Sequence, residues 1–195
     1  MKVSDGAAAI LMASGFSKRF GGQNKLLVPF RGKPLARYTL ELVDAFEFSG
    51  GIYFVTSSDD AAALAADLPR VRVVKNTAPE KGQRESVRLG VEAADAACYL
   101  FFPCDMPFLD RDTVQRILDE RRPGCIVEPR YRGKPGNPGL FSAAFREELL
   151  SLAEGESPRI IKARHPQALL AVEVSNPLAL EDIDDEETLK RFEGL

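Results

Sequence analysis

Four short apolar runs, at 7–12, 52–56, 71–74 and 99–102, alternate with stretches of helical periodicity, and this alternation constrains the fold more than any other feature. The runs are almost continuously apolar, as strands are when both faces of their sheet are covered. Pro34, well suited to a first helical position, leads into 35–48, where Leu35, Tyr38, Leu42 and Phe46 recur at helical spacing. An alanine-rich helix is expected at 61–66, a third at 85–94, and a fourth at 112–120 with Thr113 and Ile117 one turn apart. Such a β-α-β-α rhythm predicts a single-domain α/β fold: a three-layer α/β/α, Rossmann-like, mostly parallel sheet with its core within 7–192. The second half is less regular. It reads as a strand at 124–128, a Gly- and Pro-rich loop at 130–139, helices at 141–152 and 158–164, a strand at 169–174 and a closing helix at 185–192.

A chain of 195 residues, 45% hydrophobic and 28% charged, is ordinary for one soluble domain and needs no covalent staple. Its net charge of −3 excludes a bulk affinity for nucleic acid, though not a local basic pocket for one nucleotide. Cys98, Cys104 and Cys125 lack paired spacing and read as small buried hydrophobes of a reducing compartment. The one histidine, His165, makes a zinc site of the usual spacing hard to assemble and reads as a helix-end or surface residue. Residues 1–6 lack an apolar signal core, and 7–12 is too short to span a bilayer. A cytoplasmic chain with no membrane partner is expected.

In open parallel sheets, ligands lie beyond the carboxyl ends of the strands. Directly after the first run comes a loop at 13–25 with small residues Ala13, Ser14 and Gly15 and cations Lys18, Arg19 and Lys25. Close backbone approach and free N–H groups suit phosphate oxygens. The bland alternative is a solvated basic loop, and the position beside a buried strand argues against it. The loop has neither the P-loop pattern nor the dinucleotide glycine fingerprint, which disfavours an NAD(P)- or flavin-binding reductase. The fourth run ends at Asp105, held between Pro103 and Pro107, a setting for a hard-metal ligand or simply a turn cap. In a later acidic segment, Asp182 and Asp184 alternate about Ile183, while Asp185 and Glu186 read as an N-cap and first-turn acid. Magnesium bound by one or two carboxylates plus substrate phosphates would fit Asp105 with this pair. Gly82 starts the third helix, whose N-terminus is suited to a base or ribose or is an ordinary helix start.

The order Leu11-Met-Ala-Ser-Gly15-x-Ser17-x-Arg19-x-Gly21…Lys25, Gly32-Lys33-Pro34-Leu35 and Cys104-Asp-Met-Pro107 resembles the nucleotidyltransferases of the GT-A-like fold. Three further segments, Gly82-x-x-x-Ser86-x-x-x-Gly90, Gly133-x-Pro-Gly-Asn-Pro138 and Asp182-Ile-Asp184, are similar to the molybdenum cofactor cytidylyltransferase branch of the MobA-like NTP transferases. The resemblance implies that Ala13, Ser14 and Gly15 line the nucleotide, and that Arg19 and Lys25 neutralise its phosphates. It puts Gly82 and Ser86 near base or ribose, Mg2+ on Asp105 and Asp184, and the Gly136-Asn137-Pro138 loop at the acceptor. It further implies CTP and a molybdopterin-type cofactor as substrates, with a molybdenum hydroxylase or its chaperone as client. Ser14 and the Gly21-Gly22-Gln-Asn-Lys25 spacing depart from the cytidylyl pattern, and the spacing is nearer the guanylyl one. Asn137 replaces a frequent histidine. Guanylyl transfer, transfer to a sugar or polyol phosphate, and a non-catalytic cofactor carrier are the alternatives.

The reaction itself needs no strong general base, because an acceptor phosphate is already ionised near pH 7. It needs cations on the triphosphate and partners held in line. No serine, cysteine or lysine stands beside a base in a way that predicts covalent catalysis.

Overall fold

The computed structural model describes residues 6–15, 20 and 23–194. Its first strand, β1 (Ala7–Ala13), lies inside the sheet, and every residue of it but Met12 is buried. A two-residue hairpin follows, β2 (Pro29–Phe30) and β3 (Lys33–Pro34). Arg31 and Gly32 turn it with φ of 46° and 91°, the pair of positive angles that a tight hairpin requires. Then come α1 (Leu35–Asp44), β4 (Ile52–Thr56), α2 (Asp59–Ala63), β5 (Val71–Lys75), α3 (Gln83–Ala93), β6 (Cys98–Pro103) and α4 (Arg111–Asp119). The second half supplies β7 (Ile126–Tyr131), β8 (Lys134–Pro135), β9 (Gly139–Ser142), α5 (Arg146–Leu150), α6 (Arg159–Arg164), β10 (Leu169–Glu173) and α7 (Glu186–Glu193).

The strands run in the order β5-β4-β1-β6-β9-β7-β10, with β8 paired to the end of β7. β1 is parallel to β4 and β6, β4 to β5, and β7 to β10. β9 alone among the path strands runs antiparallel, inserted between β6 and β7. Successive residues of β1 feed opposite layers. Ala7, Ala9 and Leu11 pack with Leu40 and Val43 of α1 and with Val114 and Ile117 of α4, whereas Ala8 and Ile10 pack with Val87 and Val91 of α3 and Leu149 of α5. The three-layer expectation is therefore met. Gly90 of α3 lies so close to β1 that a Cβ there would meet Ile10 Cγ2 at 2.4 Å, so its place in the sequence pattern has a packing cause.

Two expectations are corrected. The helix at 141–152 loses its start to β9 and is reduced to a 3-10 turn, Ala143–Phe145, followed by α5. Phe141, Phe145 and Leu149 recur every four residues and all join one cluster, which mimics a helical stripe. Leu140 goes to the opposite cluster, as strand alternation demands. The first helix ends at Asp44, not 48; Phe46 and Phe48 are instead core residues that meet each other, and Phe48 meets Phe102. The loop at 130–139 also contains β8, turned by Arg132 and Gly133 at φ of 50° and 77°.

A third, smaller cluster joins Phe20, the β2–β3 hairpin residue Phe30, Leu35, Ile183 and the α7 residues Leu189 and Phe192. It anchors the basic loop and the late acidic segment to the same corner of the sheet. No helix among the described residues is long and apolar enough to cross a membrane.

Candidate active site

Register brings the strand ends together. Met12 pairs with Pro103 and Ala13 with Thr56, so the chain leaves β1 beside the loop that carries Asp105. Ala13 is buried, and its carbonyl accepts from Thr56 Oγ1 at 3.2 Å. Ser14 Oγ donates to the Val55 carbonyl at 3.3 Å, while Gly15 is exposed with open space around it. At the far end of the loop the Asn24 side chain accepts from Leu26 N and caps the 3-10 turn Lys25–Leu27. Leu26 is buried beneath it and anchors the turn that carries Lys25.

Lys25 Nζ donates to Asp105 Oδ2 at 2.6 Å and to Asp184 Oδ1 at 2.7 Å. Residues separated by 159 positions thus meet at one ammonium. The closing bond is local: Ile183 N donates to the Asp105 carbonyl at 2.9 Å, with Ile183 fully buried between Asp182 and Asp184. Asp105 Oδ1 is buried without a hydrogen-bond partner among the described residues. An orphaned carboxylate oxygen of this kind is costly unless a ligand satisfies it. Burial acts to lower the Lys25 pKa, but Asp105 and then Asp184 outweigh it and hold the ammonium above its ordinary 10.5. Loss of surrounding water, then repulsion from Asp184 and Asp105, pushes the Asp182 carboxyl up against the opposing pull of Lys25. Burial, with Asp105 next to it, pushes the Cys104 thiol well up, which removes it as a nucleophile.

Two clefts open from this corner. The first, about 260 Å³, is lined by Ser14, Gly15, Gly82 and Asp105 together with Met12 and Gln83. Gly82 holds φ of 78° there, an angle that a side chain would strain. The second, about 170 Å³, includes Met12 and Gln83 again, and adds Asn137, Gly139, Arg159 and Lys162. Met12 and Gln83 form the shared wall, with Gln83 Nε2 3.7 Å from Met12 Sδ. A larger hollow of about 710 Å³, lined by Gly51, Tyr53, Arg70 and Arg72, lies at the opposite, amino-terminal end of the strands. None of the described motif residues lines it.

Of the residues singled out in the sequence, Ser14, Gly15, Gly82 and Asp105 share the first cleft, Lys25 is ion-paired to both Asp105 and Asp184, and Asn137 lines the second. Ala13 and Ser86 stand behind the lining. Ser86 is buried and accepts from Asn76 Nδ2 at 3.3 Å, and Asn76 Oδ1 in turn accepts from Ala78 N; it shapes the 76–82 loop from within. Lys18 and Arg19 fall outside the described residues. Asp185 caps α7 through Thr188 N at 2.8 Å. His165 ends α6 beside Glu148 at 2.7 Å, away from both clefts. The sequence reading missed Met12, Gln83, Arg159, Lys162 and Glu128. Only Glu128 carried a signal: a carboxylate inside an apolar strand must find a buried partner.

The family model for the MobA-like NTP transferase domain matches residues 9–169. The chain belongs to that family. Nicotine blue oxidoreductase of Paenarthrobacter nicotinovorans is 26% identical over 192 residues, 94% of each chain. A probable molybdenum cofactor guanylyltransferase of Thermococcus gammatolerans is 34% identical over 147 residues, 71% of each chain. Among solved structures, Rv0371c of Mycobacterium tuberculosis H37Rv superposes with a TM-score of 0.79 at 24% identity, covering 99% of this chain and 100% of that one. A second structure of Rv0371c, in complex with manganese, gives 0.71 at 23% identity, covering 96% and 98%. At these identities the structural likeness bears on the fold alone.

Proposed function

We propose that this MobA-like NTP transferase moves CMP from CTP to the phosphate of a molybdopterin-type cofactor and releases pyrophosphate, in the maturation of a molybdenum hydroxylase. The observation that carries the reaction class is the junction of Lys25, Asp105 and Asp184 beside two clefts with a common wall. One cleft suits a nucleotide and the other its acceptor. An acceptor phosphate oxygen attacks the α-phosphorus, the bond to the bridging oxygen breaks, and pyrophosphate leaves with the electron pair. Ser14, Gly15 and Gly82 line the nucleotide side, and Lys25 with Arg19 balances the triphosphate charge. Asn137 meets the acceptor from the second cleft.

Asp105 and Asp184 are the residues to hold Mg2+. The donor set fits a hard cation: both groups are carboxylates, and Asp105 Oδ1 lacks a partner among the described residues. No cluster of three His, Cys, Asp or Glu suited to a metal occurs among the described residues, so coordination would be completed by phosphate oxygens and water. When bound, Mg2+ neutralises charge that builds on the phosphates. Lys25 stands between the two carboxylates and keeps them apart until a triphosphate draws the ammonium toward its own oxygens.

The choice of base rests on the resemblance of the Gly82–Gly90 and Asp182–Asp184 segments to cytidylyltransferases. The guanylyltransferase names among the relatives favour GTP instead. A second reading comes from the relative named nicotine blue oxidoreductase, that of a reductase on the same fold. Pyrophosphate release measured with each of the four triphosphates, Mg2+ and reduced molybdenum cofactor separates these readings. CTP-dependent release supports the proposal, and a clear GTP preference overturns the base. No release with any triphosphate, together with tight NADPH binding, overturns the transfer. Pyrophosphate release also separates an enzyme from a passive cofactor carrier.

A further inference from the structure

Glu128 sits in the middle of β7 with its side chain only 7% exposed. Both of its oxygens are taken: Oε2 accepts from Lys162 Nζ at 2.7 Å and Oε1 from Arg130 Nε at 3.3 Å. One buried carboxylate therefore faces two cations, so the group carries a surplus positive charge. Lys162 turns that surplus toward the second cleft, which it lines. Arg159, one helical turn earlier on α6, lines the same cleft, is exposed, and makes no hydrogen bond or ion pair with the described residues. Opposite them, a Cβ on Gly139 would lie 3.4 Å from Lys162 Nζ, so glycine leaves the ammonium room against the strand. Asn137 and Gln83 add neutral donors to the wall. Among the described residues Gln83 Nε2 meets only a thioether, a weak acceptor.

A cleft with excess cations beside a satisfied carboxylate is built for an anion. We infer that Lys162, Arg159 and Asn137 recognise the phosphomonoester of the acceptor, with Glu128 as the positioning residue that holds Lys162 in place. This rests on the proposed function in taking the second cleft as the acceptor's side. Its shared wall with the first cleft, Met12 and Gln83, sets that phosphate next to the nucleotide, where the attacking oxygen has to be.

The test uses the full chain without nucleotide or metal, titrated with 4-nitrophenyl phosphate and with inorganic phosphate as probes and followed by NMR. Binding of both is expected, with 4-nitrophenol inert and the probe retained when CTP and Mg2+ are added. Arg159→Ala and Lys162→Gln should each weaken the probe about tenfold or more, the scale of one charge-assisted hydrogen bond. Unchanged affinity in folded Arg159→Ala, or displacement of the probe by CTP, overturns the inference. Arg159 is exposed, so that variant decides the matter even if Lys162→Gln folds poorly. The two proposals fail separately. Probe binding that depends on Lys162 and Arg159 without any nucleotidyl transfer leaves this site standing and removes the reaction. Transfer whose cofactor KM is unmoved by Arg159→Ala removes this site alone.

Discussion

Asp105, just beyond β6, and Glu128, in β7 on the other side of β9, are both acids, and they are satisfied in opposite ways. Asp105 has one oxygen on Lys25 and the other, Oδ1, buried without a partner among the described residues. Glu128 has a cation on each oxygen, Lys162 on one and Arg130 on the other. The first leaves acceptor capacity open and invites a cation. The second leaves positive charge over and invites an anion. Partner arithmetic thus assigns the polarity of each cleft where counts of acids and bases along the chain do not.

The largest effect is expected where the open oxygen is. Asp105→Asn keeps the shape but removes the charge, and should cut pyrophosphate release by ~10³-fold or more, as loss of a metal-holding or charge-stabilising group does. The melting temperature should move little, because an amide oxygen can still accept from Lys25, whose charge Asp184 continues to balance. A wild-type rate would break the contrast at its first term.

Much of the first half was legible because its physics is local. β1, β4 and β6 are buried runs, and motifs follow β1 and β6 directly, so the loop at 13–25 and Asp105 could be read from position alone. Asp182 and Asp184 were legible as a pattern about Ile183, although the bond from Ile183 N to the Asp105 carbonyl was not. The second half resisted because its signals are long-range. β9 is an antiparallel insertion whose Phe141, Phe145 and Leu149 spacing imitates a helix. Lys162 and Glu128 are 34 residues apart, and nothing in either segment names the other. Gln83 was passed over because its importance comes from the meeting of two clefts.

The Glu128 side of the comparison is tested by stability. Lys162→Met strips one cation from a buried carboxylate and should cost ~3 kcal/mol, the lower end for breaking a buried pair, since Arg130 remains. Adding Glu128→Gln should recover most of that loss in urea unfolding. If the single variant costs nothing, Glu128 is not held by Lys162 and the charge surplus loses its basis.

A smaller effect sharpens the Asp105 side. Lys25→Met removes the ammonium that competes for Asp105 and Asp184. Mn2+ titrated without nucleotide and followed by EPR should bind about tenfold more tightly than to wild type, a modest share of the ~4 kcal/mol for unit charges 4 Å apart at an effective dielectric of 20. Turnover should fall at the same time, because the triphosphate loses its cation. Weaker Mn2+ binding in Lys25→Met would show that the lysine shapes the carboxylates rather than competing for them.

The smallest effect concerns what holds the late acidic segment in reach. Asp110 caps α4 through Thr113 N at 2.8 Å and also accepts from Asn176 Nδ2 at 3.0 Å, and Asn176 Oδ1 accepts from Leu178 N at 3.0 Å. Partial burial acts to raise the Asp110 pKa, but the Thr113 and Asn176 bonds outweigh it and hold the carboxyl below its ordinary 3.8. A depressed folded-state pKa gives stability that is present above pH 3.8 and lost as pH falls through the folded value. Asp110→Ala should therefore cost ~1 kcal/mol near pH 7, with the deficit shrinking below pH 3.8 as the wild type loses its own advantage. Asp110→Asn separates cap from charge. Asparagine caps as well as aspartate but has no second oxygen to accept from Asn176 Nδ2, so at pH 7 it should lose less stability than Asp110→Ala and lack the acid-side decline. If Asp110→Asn loses turnover at pH 7 while the cap holds, the bond from Asn176 to Asp110, and not the cap, is what sets the chain from Asn176 to Asp184 at the correct distance from Asp105.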